Sequence, residues 1–146
     1  MLQIRMMKFE DTEKSRPLFQ EDPNYFNKQQ LIIDQTFIID QSNEIIGVGS
    51  YKRKGDNAAI VDLLYVKKAN RGQKLGDGLL RALLNHLNIK GYHTVFFNSE
   101  GASNGFFVSE GLEIAAVDPQ NAEILTFRAE LPNFFEGGCK HSGRQA

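Results

Sequence analysis

The residues with the plainest chemical potential form a basic, glycine-rich run, Arg71-Gly72-Gln73-Lys74-Leu75-Gly76-Asp77-Gly78. Directly upstream lies an apolar, β-branched stretch, Ile60-Val61-Asp62-Leu63-Leu64-Tyr65-Val66, which predicts a buried strand. Downstream, Leu79, Leu80, Leu83, Leu84 and Leu87 fall at the three-and-four spacing of one apolar helix face. Strand, glycine turn and helix start together make an anion-binding arrangement. First-turn amides have no intrahelical partners, and the helix dipole turns its positive end toward the loop. Glycine lets a phosphate approach the backbone, while Arg71, Lys74 and Lys68 add mobile positive charge. The chemistry this implies is a phosphate or pyrophosphate bound on residues 71–78. Neither the dinucleotide fingerprint G-x-G-x-x-G nor the P-loop G-x-x-x-x-G-K-[ST] is present.

The chain that must position this loop has 146 residues, enough for one domain with a real core. We expect that domain over residues 1–132 and a flexible, glycine-rich tail over 133–146. A formal net charge of −1 argues against a nucleic-acid partner. Cys139 is the only cysteine, which excludes an internal disulfide framework and fits a reducing compartment. Cys139 and His141 are too close together, and too isolated, to predict a metal site. No apolar run approaches the ~20 residues of a membrane span, so no membrane partner is expected. The opening MLQIRMMKFEDTEK lacks the zones of a signal peptide, and the expected location is the cytoplasm.

Read in order, residues 2–7 predict an opening strand, and Asp11 or Thr12 caps a helix running toward Phe19. A second short helix is expected after Pro23, carrying Tyr25, Phe26, Leu31 and Ile32. Strands at 36–40 and 44–53 flank the polar turn Gln41-Ser42-Asn43. Together with the strand at 60–66 they predict an antiparallel meander. After the long helix, Lys90-Gly91-Tyr92 reads as a stop, and residues 93–98 as a buried strand. A helix separates that strand from 60–66, so the two should run parallel through a right-handed crossover. A short helix at 103–110 ends at Gly111, and a final hairpin joins 112–117 to 123–131. The order predicts an α/β (mixed α+β) architecture, mostly antiparallel, with six to seven strands and helices on both faces.

The segment LLYVKKANRGQKLGDGLL resembles the coenzyme A loop of the GNAT superfamily of acetyl-CoA-dependent N-acetyltransferases. That family carries R/Q-x-x-G-x-G/A between its central strand and the next helix. Two registers fit. Arg71 leads one, with Lys74 in place of the first glycine and Gly76 as the second; the other is Gln73-x-x-Gly76-x-Gly78. The distance from the strand end favours the first. A second family signature is matched by Ser103-Asn104-Gly105-Phe106-Phe107, with Gly111-Leu112 at the right distance. Phe107 stands where a tyrosine is usual, and Glu100 where an asparagine is usual.

The resemblance implies a GNAT-like single domain with a splayed parallel strand pair, acetyl-CoA as cofactor, and N-acetyl transfer to a primary amine of a small molecule or peptide. It implies that backbone groups of Leu64 and Val66 pair with the pantetheine arm. The pyrophosphate would rest on Gly72, Gln73, Lys74, Leu75, Gly76 and Asp77, with Arg71 beside it and Asp77 turned to solvent or capping the helix. Asn98, Asn104 and Phe107 complete the implied cofactor site. No carboxylate stands early on the central strand, where relatives often keep a base. Asp62 is therefore the candidate base or water-holder, with Tyr65 and Tyr51 as further hydroxyls and Tyr25, Phe26 and Phe37 as an acceptor wall. A coenzyme-A-binding sensor of the same fold is the alternative. Relatives that pair through sheet edges make a homodimer an open expectation.

Overall fold

Apolar alternation in the chain resolves into strands wherever one face can be buried, and three-and-four spacing resolves into helices. A computed structural model describes residues 1–28 and 30–131. The tail expected at 133–146, with Cys139 and His141, lies outside the described residues. The strands are β1 (Leu2–Met6), β2 (Thr36–Gln41), β3 (Glu44–Arg53), β4 (Ala58–Val66), β5 (Thr94–Glu100), β6 (Glu113–Asp118) and β7 (Asn121–Glu130). Their order in one seven-stranded sheet is β1-β2-β3-β4-β5-β7-β6. The helices are α1 (Asp11–Lys14), α2 (Arg16–Phe19), α3 (Pro23–Asn27), α4 (Leu75–Ile89) and α5 (Asn104–Ser109). As expected, β4 and β5 are parallel, paired from Ala58↔Thr94 to Val61↔Phe97. Among the described residues no helix is long and apolar enough to cross a membrane.

The contacts divide the chain into two compact units, Met1–Lys52 with Asp62–Asn85, and Arg53–Val61 with the residues from His86 onward. In the first unit, alternation sends neighbouring residues to opposite faces. Ile38, Val48, Leu63 and Tyr65 pack with Leu18 of α2 and Phe26 of α3. Ile39, Ile46, Leu64 and Val66 pack with Leu75 and Leu79 of α4. Gly49 on β3 lets α4 approach: a Cβ there would lie 2.7 Å from Leu83 Cδ1 and 3.2 Å from Leu64 Cδ1. The turn joining β2 to β3 places Ser42 and Asn43 at φ 51° and 73°, the left-handed pair that a tight hairpin demands.

Three early expectations are corrected. The single helix from Asp11 to Phe19 is two short helices, α1 and α2, with Pro17 near the start of α2. Asp11 is not the cap of α1 but its first residue, 1% exposed, and both its oxygens accept from Arg5, at 2.8 and 3.0 Å. That carboxylate holds the Arg5 guanidinium above its ordinary pKa, and Arg5 in turn holds Asp11 below its own. The helix after Pro23 ends at Asn27, so Leu31 and Ile32 are not on it.

In the second unit, α4 stops as its residues predict. Gly91 takes φ 93°, and Tyr92 and Gly91 donate to the carbonyls of Leu87 and Asn88. Antiparallel β7 lies between β5 and β6. Phe107 of α5 packs on Phe97 and Phe127, with ring centroids 5.3 Å away in each case. The β6–β7 turn is organised by Asp118, whose Oδ1 accepts from the Gln120 and Asn121 amides.

Candidate cofactor and acyl-transfer site

The basic loop is shorter than its sequence pattern predicts, because α4 begins at Leu75 rather than after Gly78. The Gly78 amide already donates to the Lys74 carbonyl, 3.2 Å away, as an ordinary helical bond. Leu75 and Gly76 therefore sit in the opening turn, where amides have no carbonyl behind them to reach. Lys74 precedes them with φ 61°, a left-handed backbone that costs a side-chain-bearing residue roughly 1–2 kcal/mol. Arg71, Gly72, Gln73 and Lys74 are all exposed, with Gly72 also left-handed at φ 86°. Asp77 lies part-exposed in the first turn of α4, and its Oδ1 accepts from Arg81 Nε at 3.0 Å, one helical turn on.

Arg71 is fixed by its neighbours. Its Nε donates to the Val66 carbonyl at 2.9 Å, and its guanidinium lies over the Tyr65 ring, 5.0 Å from the centroid. Tyr65 donates its own hydroxyl to Glu21, 2.9 Å away, and Glu21 also accepts from the Lys68 amide at 3.0 Å. The Lys68 amide is the main reason the Glu21 carboxyl lies below its usual range. Burial, and then Glu21, push the Tyr65 phenol up to about 12. Two residues before, the Leu64 amide donates to the Tyr25 hydroxyl of α3 at 3.1 Å. Lys67, by contrast, turns aside to pair with Glu44.

Asp62 lies on the same face of β4 as Leu64 and Val66, all three half-buried, whereas Tyr65 is on the opposite, buried face. One Asp62 oxygen meets Lys52 Nζ at 3.3 Å; the other, Oδ1, is buried with no hydrogen-bond partner among the described residues. Tyr51 is buried in β3. The predicted residues Asn98, Asn104 and Phe107 belong to the second unit. Asn98 is exposed and accepts from the Thr126 hydroxyl at 3.3 Å. Asn104 donates through Nδ2 to the Glu123 carbonyl at 2.9 Å, leaving its Oδ1 buried and unpartnered among the described residues. Phe107 is 5% exposed and surrounded by rings that carry no polar atom. Among the described residues there is no cluster of side chains able to hold a metal ion.

Residues 23–127 match the family described as Acetyltransferase (GNAT) domain, which is most of the chain. The chain belongs to the GNAT acetyltransferases. Solved structures carry the same fold at low identity. The PaiA N-acetyltransferase of Thermoplasma acidophilum, in complex with coenzyme A, superimposes with a TM-score of 0.72 at 15% identity, over 89% of this chain and 99% of that one. The ribosomal-protein-S18-alanine N-acetyltransferase of Escherichia coli gives 0.71 at 16%, over 90% and 94%. N-acetylglutamate synthase of Neisseria gonorrhoeae, complexed with coenzyme A and N-acetyl-glutamate, gives 0.69 at 16% identity. That match covers 90% of this chain, which spans only 35% of the synthase. No curated protein matches the sequence.

GNAT acetyltransferases use acetyl-CoA, as the loop sequence led us to expect. In this GNAT chain the structure brings Leu64, Val66 and the loop from Arg71 to Asp77 into one unit, and sets Asn98, Asn104 and Phe107 in the other. Sequence reasoning missed Glu21, which ties Tyr65 to Lys68, and named Tyr25 for an acceptor wall without its reach to the Leu64 amide. The Asp22-Pro23 pair did carry part of the signal. It marks a helix start, and the Asp22 side chain accepts from the Tyr25 amide at 3.2 Å. Which strand amide the Tyr25 hydroxyl then meets is set by tertiary packing and has no local signature.

Proposed function

We propose that residues 1–132 act as an N-acetyltransferase, moving an acetyl group from acetyl-CoA to a primary amine of a small molecule or peptide in the cytoplasm. Transfer is direct, within a ternary complex. One observation carries the proposal: the left-handed backbone of Lys74 immediately before α4. Glycine adopts that conformation freely and lysine does so at a cost, so the path of the loop is kept even where the family's glycine is not. This favours the register led by Arg71, with Lys74 and Gly76 in the two glycine places. The second register would use Gly78, whose amide is already spent inside the helix.

The residues fit the cofactor they are asked to hold. The Leu75 and Gly76 amides, the positive end of a 15-residue helix, and the Arg71 and Lys74 side chains present donors and charge for a diphosphate. On β4, the Leu64 N–H is taken by the Tyr25 hydroxyl, whereas the Val66 C=O, bonded to Arg71, keeps a second lone pair of the kind an amide-bearing arm pairs with. The cofactor supplies the activated acyl thioester; the protein supplies alignment, worth several kcal/mol, and acid–base groups. Asp62 serves as base or water-holder, because its unpartnered Oδ1 is an acceptor for one hydrogen of a water or an amine.

A coenzyme-A-binding sensor is the second reading, and the packing of Phe107 in a wholly apolar ring cluster is what favours it. Thiol release in the presence of amino acids, polyamines and short peptides separates the two. Acceptor-dependent release is expected; tight binding without turnover supports the sensor instead. At about 100 times its dissociation constant, acetyl-CoA should stabilise the chain by about 2.7 kcal/mol, raising Tm by a few degrees. Gly76→Trp should abolish that shift. Its persistence would move the diphosphate off residues 71–76 and overturn the proposal.

A further inference from the structure

Resting on the acetyltransferase reading above, we infer that Tyr25 of α3 is a catalytic residue of this chain, the proton donor to the departing thiolate. The observation behind it is positional. The Tyr25 hydroxyl stands 3.1 Å from the Leu64 amide, as acceptor, on the strand segment that the family resemblance sets beside the pantetheine arm, whose end carries the sulfur. Accepting from that amide leaves the phenolic proton undirected, and among the described residues nothing accepts it. A hydroxyl that is held by its oxygen and still carries a free proton is competent to donate.

Tyr65 and Phe107 are ruled out by their contacts. Tyr65, on the same strand, already gives its proton to Glu21 at 2.9 Å. Phe107 has no hydroxyl, and its ring is enclosed by Phe97, Phe106 and Phe127. Tyr25 is also held firmly enough to serve. Its amide is capped by Asp22, and its ring lies 5.3 Å from Phe26 and 5.8 Å from Tyr65. Burial raises the phenol above its usual pKa, with Asp62 and Asp22 adding to the effect, so it is protonated at neutral pH. The step balances. As the amine nitrogen forms its bond to the acyl carbon and the carbon–sulfur bond breaks, Tyr25 gives its proton to sulfur. The surplus proton of the acylated amine then restores the phenol.

Two measurements on the full chain test this. The first replaces Tyr25 with 3-fluorotyrosine, which keeps size and hydroxyl, and follows its fluorine resonance during acetyl-CoA titration. A saturable displacement is expected, and an unmoved resonance at saturation overturns the inference. The second compares Tyr25→Phe with the wild type in acceptor-dependent thiol release. A fall in kcat of roughly 100-fold is expected, with cofactor affinity changed less than about threefold. Equal kcat in both proteins removes Tyr25 from the chemistry while leaving the acetyltransferase intact. Absence of turnover in the wild type overturns the acetyltransferase reading itself, and the donor role with it. If Tyr25→Phe does not fold, the fluorotyrosine protein decides through its resonance alone.

Discussion

Two groups of aromatic rings, one in each unit, look alike in sequence and behave differently in space. In the first, Phe19, Tyr25, Phe26 and Tyr65 pack with centroids between 4.7 and 5.8 Å. Both of its phenols make specific polar contacts, Tyr25 with the Leu64 amide and Tyr65 with Glu21. In the second, Phe97, Phe106, Phe107 and Phe127 make contacts of similar length without a single polar atom on a ring. The difference teaches where directional chemistry can reside. Ring packing alone fixes volume and is tolerant of small rotations; a ring whose hydroxyl is bonded to backbone or carboxylate has its polar end fixed too.

The sharpest way to break this comparison is to remove a ring from the apolar group. Phe127 is fully buried, and Phe127→Ala should cost about 3–5 kcal/mol in denaturant unfolding, with most of that from the cavity left behind. A loss under about 1 kcal/mol would mean that the second group is not a core. Next in size is Phe107→Tyr, which restores the family's usual residue. The new hydroxyl enters a space lined by rings, so the expected cost is about 1–3 kcal/mol with no gain in turnover. A rise in turnover would show that this position, rather than Tyr25, is where a phenol is wanted.

Much of this was readable from local pattern. The parallel β4–β5 pair follows from a strand, a leucine-faced helix and a second strand, and the helix stop at Gly91 follows from glycine's freedom at φ 93°. The loop chemistry was legible because charge and glycine sit together in sequence. Its true boundary was not: Leu75, Gly76 and Asp77 read as turn, yet the helix claims them once Leu75 and Leu79 pack on Ile39 and Ile46. The early helices were read poorly for the same reason. Asp11 looks like a cap in isolation, and only Arg5, on a strand six residues earlier, turns it into a buried ion-pair partner. The Tyr25–Leu64 contact spans 39 residues, beyond the reach of any periodicity.

The smallest effect concerns Tyr65, whose phenolic proton is already committed to Glu21. Removing the Tyr65 hydroxyl takes one hydrogen bond from Glu21, so Tyr65→Phe should cost about 1 kcal/mol at neutral pH. Its pH dependence is more telling than its size. In the folded chain the phenol is pushed up to about 12, above its reference value of 10.0, so folding favours the protonated form. That contribution is fully present below the unfolded pKa and is lost as pH rises through the folded one. The difference in urea midpoint between wild type and Tyr65→Phe should therefore hold steady up to about pH 9.5 and close as pH climbs beyond it. A gap that instead closed on the acid side, near the carboxylate range, would assign the stabilisation to the Glu21 charge. Glu21 would then hold the loop mainly through the Lys68 amide, and Tyr65 would join the phenylalanines as a packing ring.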